Sequence, residues 1–340
     1  MHFLSKKFVS LSQKNSFCQL TWRRLPCILA ATKERVMDDL IELQEKPSLE
    51  GTVMIAGWRQ WADGGAVSSE LPRYLIEHTQ ARHIGTLHSD PFYIFQVPGT
   101  HALFRPEIKL ENGYRTELRE KHNDIYLAEN NGRPLVIFLG DEPQLNVARY
   151  SRAFFDVARA LDVRRIVTVG GVYGHVPHDK DREISCTYSL PRLKDELTDY
   201  AVTFSNYEGG VSIGSYLLER AEKLGMEYIV FYAIVPMFDL TQLSPLLQTL
   251  VIEQDYKAWY DVMRRVNHLL QLGLDLSDLE QASRQLIASF DAKIDELEKA
   301  LPQVNIRAHL KKLTENFVEP LFTPLDDVWK KGLSDLIKDL

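Results

Sequence analysis

Four short segments of this chain carry groups that can bind or react. Asp63-Gly64-Gly65 stands ahead of a helical stretch. Glycine amides and a helix start can cradle a phosphate or carboxylate there, and an aspartate in that place can equally cap the helix. Gly140-Asp141-Glu142-Pro143 follows an apolar run. Two adjacent carboxylates can raise one another's pKa for acid–base work, or begin a helix with proline near its first position and acid in its first turn. Gly170-Gly171 leads to His175-Val176-Pro177-His178, with Asp179 and Asp181 close by. An extended run through proline sets the two imidazoles ~9 Å apart at the backbone, within reach of one metal ion. No third ligand follows at a diagnostic spacing, and no H-E-x-x-H is present. His178 is instead expected to be ordered by hydrogen bonding, toward the edge that carries Asp63. Glu208-Gly209-Gly210 repeats the glycine-plus-acid pattern before another helix, and Glu208 can hydrogen-bond a ribose or other hydroxyl, or lie in a solvated turn.

The candidate ligand-binding set is therefore Asp63, Gly64, Gly65, Gly140, Glu142, Gly170, Gly171, His178, Glu208 and Gly209. The spacings match neither the dinucleotide fingerprint nor the P-loop. No Gly-x-Ser-x-Gly elbow occurs, and Cys186 has no histidine near it in sequence. Catalytic residues, cofactors and metals are accordingly expected to be none.

These segments must be positioned by the elements between them. Val53-Met54-Ile55-Ala56, Leu135-Val136-Ile137-Phe138-Leu139 and Ile166-Val167-Thr168-Val169 are short apolar runs, each followed by a loop and a helical stretch. Such alternation predicts an α/β fold with a largely parallel sheet, whose carboxyl-end loops gather on one edge. Helices are predicted over residues 66–78 (Leu71, Leu75 and Ile76 inward), 145–162 and 211–224, the last stopped by Gly225. Asn112-Gly113 between runs of alternating polarity predicts a hairpin. Residues 228–235 read as a buried strand ended by Pro236. Residues 243–272 then read as helical, followed by a helix capped by Ser277 or Asp278. Leu286, Phe290, Ile294, Leu297 and Leu301 form a stripe on it, which by default packs on its own chain.

With 340 residues, 45% hydrophobic and 26% charged, the chain has ample core material. A net charge of -7 gives no reason to expect a nucleic-acid partner. Residues 1–36 hold seven Lys or Arg against the single acid Glu34, and two of the three cysteines, Cys18 and Cys27. This leader is expected to be poorly ordered, with translation starting at Met37; a transit peptide is the other reading. No stretch approaches the ~20 apolar residues of a membrane span, so no membrane partner and a cytoplasmic location are expected. The organisation read from the sequence is a leader over 1–36, an α/β domain over 37–272 and a helical C-terminal extension over 273–340.

Taken in order, several of these motifs resemble the proteasome assembly chaperone 2 family. They are Gly57-Trp58 with Asp63-Gly64-Gly65-Ala66, Phe138-Leu139-Gly140-Asp141-Glu142-Pro143, Gly170-Gly171 with Val176-Pro177-His178, and Tyr207-Glu208-Gly209-Gly210. The strand ending Val235-Pro236 and Leu274-Asp275-Leu276-Ser277-Asp278-Leu279 complete the pattern, over about residues 38–300; the long helical tail is like that of the bacterial branch. The resemblance implies a three-layer α/β fold with a mixed, largely parallel sheet similar to purine nucleoside phosphorylases. It further implies a non-enzymatic protein-assembly or scaffold factor, acting on a protein client through its surface and helical tail, and homo-oligomers are common among such folds. Archaeal members often end in a hydrophobic-tyrosine-any tail. This chain ends Ile337-Lys338-Asp339-Leu340, so that docking mode does not carry over. The alternative is an enzyme or sensor binding an anionic or nucleoside-like molecule at the strand-end edge.

Overall fold

The computed structural model describes residues 39–45, 51–95, 105–130, 133–244 and 247–322. The expected leader and the chain end at Leu340 lie outside the described residues. The strands are β1 (Ile41–Leu43), β2 (Val53–Arg59), β3 (Arg82–Leu87), β4 (Glu107–Glu111), β5 (Tyr114–Arg119), β6 (Asn123–Asn130), β7 (Arg133–Asp141), β8 (Arg165–Gly174), β9 (Ile184–Tyr188), β10 (Thr203–Phe204), β11 (Glu227–Asp239) and β12 (Thr249–Val251). The helices are α1 (Glu70–His78), α2 (Val147–Ala160), α3 (Leu193–Thr198), α4 (Ile213–Leu224), α5 (Tyr256–Leu270), α6 (Ser277–Ala300) and α7 (Ile306–Leu313).

The main sheet runs β1-β3-β6-β7-β2-β8-β11-β9-β10, with β12 on β11. Its centre, β7-β2-β8-β11, is parallel, and antiparallel pairs flank it. Period-two alternation divides the side chains between two cores. Val53 and Ile55 of β2 join the face covered by α1, α3, α5, α6 and α7, while Met54, Ala56 and Trp58 join the face covered by α2 and α4. Both faces of the central strands are thus buried, which explains their continuous apolar runs. The stripe on α6 packs on its own chain: Phe290 and Ile294 are buried in the first core, with Leu286, Leu297 and Leu301 against it. Among the described residues, no helix is long and apolar enough to cross a membrane.

The structure departs from the sequence expectations in four places. Helix α1 begins at Glu70, because Gly64–Ala66 forms a separate 3-10 turn with left-handed Gly65 (φ 63°) and Ala66 (φ 52°). Strand β11 continues through Pro236 to Asp239. Pro236 still pairs in register with Gly174 of β8. The position its N–H would occupy faces the other side, as that of Ile234 does, where pairing with β9 has ended at Ala233 and pairing with β12 begins at Met237. Residues 243–272 are not one helix. Thr249–Val251 pairs as a strand, and α5 starts after Asp255, whose carboxylate accepts from the Ala258 N–H at 3.0 Å. At α6 the Ser277 N–H donates to Asp275 and the Leu279 N–H to Asp278 at 2.7 Å, so Asp275 stands ahead of the helix start and the Ser277 hydroxyl caps no helix amide. The Asn-Gly hairpin is present as β4–β5, with Asn112 (φ 50°) and Gly113 (φ 83°) both left-handed, as a two-residue turn of this kind requires.

Candidate functional site

Since β2, β7, β8 and β11 are parallel, the loops that follow them meet at one end of the sheet. The first of these loops is locked by close backbone packing. Asp63 bridges to Gly171, and the Gly171 N–H donates to the Ala62 carbonyl at 3.0 Å. A Cβ at Gly171 would stand 1.9 Å from the Gly64 oxygen, so this contact needs glycine. The Gly65 carbonyl accepts from both the Asp255 N–H and the Trp259 indole at 2.9 Å, which fixes the start of α5 to the same loop. Gly170 lies under the Tyr232 ring, whose hydroxyl bonds Ser212 and Ser215 at the head of α4. Gly140 lies under the amide of Asn123. That buried amide oxygen accepts from Tyr93 and Tyr150, and Tyr150 in turn accepts from the Trp58 indole.

The acids face main-chain donors. Asp63 Oδ1 accepts from the Ser68 and Ser69 N–H groups at 2.8 and 3.0 Å, holding the turn into α1. Burial pushes its carboxyl up to about 6, against the hydrogen bonds that favour the charged form. Glu142 bridges two segments: one oxygen accepts from Trp61 N–H at 2.9 Å and the other from Ile213 N–H, the first amide of α4, at 2.7 Å. A carboxylate at a helix start is favoured by the helix dipole. Asp141 turns away from Glu142, toward Lys121 and the His122 amide.

The structure brings Asp63, Gly64, Gly65, Gly170 and Gly171 together, with Glu142 held beside them on the Trp61 amide and the loop of Glu208 and Gly209 reaching the Trp61 ring through Gly210; Gly140, under Asn123, and His178 lie apart. His178 turns to α6, bonding Asp291 at 3.1 Å and stacking near Phe290. Glu208 and Gly209 lie in an exposed loop. Among the described residues, no three His, Cys, Asp or Glu side chains cluster to hold a metal ion. Two grooves of about 550 Å³ lie elsewhere, one between β12 and α6 and one between β5 and α1.

Sequence reasoning missed a buried ionic lattice behind the β8 loop. The Arg182 guanidinium is fully buried, paired with Asp255 at 2.8 and 3.3 Å and donating to the carbonyls of Pro177, His178 and Lys180. Lys257 bonds Asp181 at 2.5 Å and Asp261 at 2.6 and 2.8 Å. Burial alone would raise the Asp181 carboxyl, but Lys257 and Arg264 outweigh it and hold it below the usual range. Neighbouring Arg265 is lowered to about 10 by burial, with its donors on the carbonyls of Tyr200, Ala201 and Asp261. Lys257, Asp261, Arg264 and Arg265, at helical spacing of three and four residues, are the local trace of this lattice in the sequence.

What surrounds the edge on the outside is aromatic. Trp61 is 69% exposed, Tyr207 67% and Val211 57%. The Trp61 ring lies 3.6 Å from where a Cβ on Gly210 would stand, so these residues form one surface.

A three-layer α/β protein with a parallel centre, a closed carboxyl edge and a helical C-terminal region is the class these features define. Within it, the chain belongs to the PAC2 family, whose family model matches residues 58–293. Solved structures share the fold. A PAC2 family protein from Streptomyces avermitilis is 22% identical, with a TM-score of 0.59 over 71% of this chain and 95% of its own. A proteasome-assembly chaperone homologue from Mycobacterium tuberculosis is 21% identical, with a TM-score of 0.60 over 71% of this chain and 95% of its own. PbaB of Pyrococcus furiosus, an archaeal proteasome activator, is 19% identical, with a TM-score of 0.55 over 75% and 98%. Comparison with curated proteins gives no match.

Proposed function

We propose that this chain is a non-enzymatic assembly factor of the cytoplasm that holds a protein partner at the carboxyl edge of its sheet. The observation that carries the reading is the character of that edge. Behind it, glycine backbones touch and both principal carboxylates are committed to main-chain amides. In front of it stand Trp61, Tyr207 and Val211, exposed together. Clustered exposed aromatics mark protein-binding surfaces, and such anchors carry most of the binding energy where they are buried by a partner. The names of the structural relatives, an assembly-chaperone homologue and a proteasome activator, support proteasome-type ring subunits as the first client class to test.

The second reading keeps the candidate set as a pocket for an anionic or nucleoside-like molecule, favoured by the raised Asp63 carboxyl, since perturbed acids gather at functional sites. One experiment separates the two. Tagged full-length chain is isolated from its source cells and weighed by native mass spectrometry. A stoichiometric protein partner is expected, with capture falling by about tenfold or more in Trp61→Ser/Tyr207→Ser and unchanged in Asp63→Asn. A partner-free chain carrying a small bound mass that disappears in Asp63→Asn would overturn the assembly reading.

A further inference from the structure

The β4–β5 hairpin stands outside both cores. Every residue of β4 is exposed, as is every residue of β5 before Arg119. Among the described residues the two strands pair with each other and with no third strand. A two-stranded ribbon is marginal in water; three or more strands with an apolar face are needed for independent stability. This ribbon has the apolar face and lacks the strands. Ile108 (59% exposed) sits opposite Leu118 (46%); the register then shifts between Lys109 and Leu110, so that Leu110 (56%), on the Ile108 side of β4, sits opposite Arg115.

The opposite side of β4 reads Glu107, Lys109, Glu111, and Arg105, two residues ahead of the strand with its guanidinium over the exposed Phe95 ring at 5.3 Å, continues the alternation in sign. That order decides what the free edge fits. We propose that β4 is a self-recognition edge, pairing antiparallel with β4 of a second copy of this chain about a two-fold axis through Ile108. In this register Glu107 faces Lys109 of the partner subunit, Lys109 faces the partner's Glu107, and Arg105 faces the partner's Glu111. Ile108 meets its own copy, and Leu110 meets the partner's Pro106, which lacks an N–H and sits where an edge tolerates it. The product is a four-stranded antiparallel sheet with Ile108, Leu110 and Leu118 of both copies on one side, flanked by Arg115.

Other registers are poorer. Centred on Lys109, the strands set Lys109 against itself and Glu107 against the partner's Glu111, and like charges directly opposite are destabilising. Centred on Leu110, Ile108 meets the polar turn residue Asn112. A one-residue slip puts the apolar side of one copy against the charged side of the other. The ion pairs these residues now make within the chain, Lys109 with Glu111 at 3.2 Å and Glu107 with Arg59 at 3.5 Å, are exposed and easily exchanged. A five-residue edge makes a reversible contact, and its flanking pairs make it weaken with salt.

Sedimentation velocity on the full chain, over a concentration series at low and high salt, tests this. The wild type is expected to dimerise reversibly, more weakly at high salt. Glu107→Lys and Lys109→Glu should each weaken the dimer by about tenfold or more, since each sets like charges face to face twice. An equimolar mixture of the two variants should restore it, because every facing pair is then opposite in sign. Matching thermal midpoints establish that both variants are folded. A monomeric wild type, single variants that associate like the wild type, or a mixture no stronger than its components would each overturn the proposal. Capture of a protein partner at Trp61 and Tyr207 is independent of all three.

Discussion

The carboxyl edge and the β4–β5 ribbon use similar residues to opposite ends. At the edge, glycine lets two backbones touch, and each acid has main-chain or cationic partners: Glu142 on Trp61 and Ile213, Asp63 on Ser68 and Ser69, Asp255 on Arg182. On the ribbon, Gly113 turns a strand back into water, and acids and apolar side chains alike lie exposed. The comparison teaches that a glycine-plus-acid motif marks a place where the chain needs close approach or a capped amide. Whether a ligand is involved depends on what already fills the space.

The contrast predicts that substitutions at the edge cost stability while those on the ribbon cost association. The largest effect is expected from Arg182→Met, which leaves Asp255 buried and uncompensated and should lose about 3–5 kcal/mol in denaturant unfolding. A loss comparable to that of an exposed ribbon substitution, which is usually within about 0.5 kcal/mol, would erase the distinction. Glu142→Ala should come next, at about 1.5–3 kcal/mol, because a charged acceptor is taken from two amides. Faster hydrogen exchange at the Trp61 and Ile213 N–H groups, with exchange in α2 unchanged, is the local signature to look for.

Asp63→Asn is the smallest and acts through pH. The folded-state carboxyl sits at about 6 against an ordinary value of 3.8, so the folded form holds the proton more tightly. Its stabilising contribution is full below the ordinary value and is lost as pH rises through 6. Lowering the pH from about 7.5 to about 5.5 should therefore stabilise the wild type by about 1 kcal/mol relative to Asp63→Asn, whose amide oxygen still accepts from Ser68 and Ser69. Parallel pH profiles for the two proteins would show that burial does not govern this carboxyl.

Much of this frame was legible in the sequence, because local rules govern it. The runs at Val53, Leu135 and Ile166 had to be strands buried on both faces, and Asn112-Gly113 had to be a left-handed turn. What escaped depended on distant partners. Pro236 ends a strand by local chemistry, and only the continuing ladder to β8 on one side, with the gap between β9 and β12 on the other, shows why it does not here. Arg182 and Asp255 are 73 residues apart, and no pattern of spacing joins them. The grouping of Asp63 with Glu142 followed from the order of parallel strands, whereas the turn of His178 toward Asp291 depended on where α6 lies. Which loops meet follows from strand order, whereas which side chains meet depends on elements far along the chain.

Trp58 and Trp61 stand three residues apart in opposite surroundings, one fully buried with its indole on Tyr150 and the other 69% exposed. Water relaxes around an excited indole at the surface and cannot do so around one in the core, so the two emit at different wavelengths. With the other three tryptophans, Trp22, Trp259 and Trp329, replaced by phenylalanine, the pair becomes an optical gauge. Shielding of the edge shifts the red component, and loss of the core shifts the blue one, without any label attached.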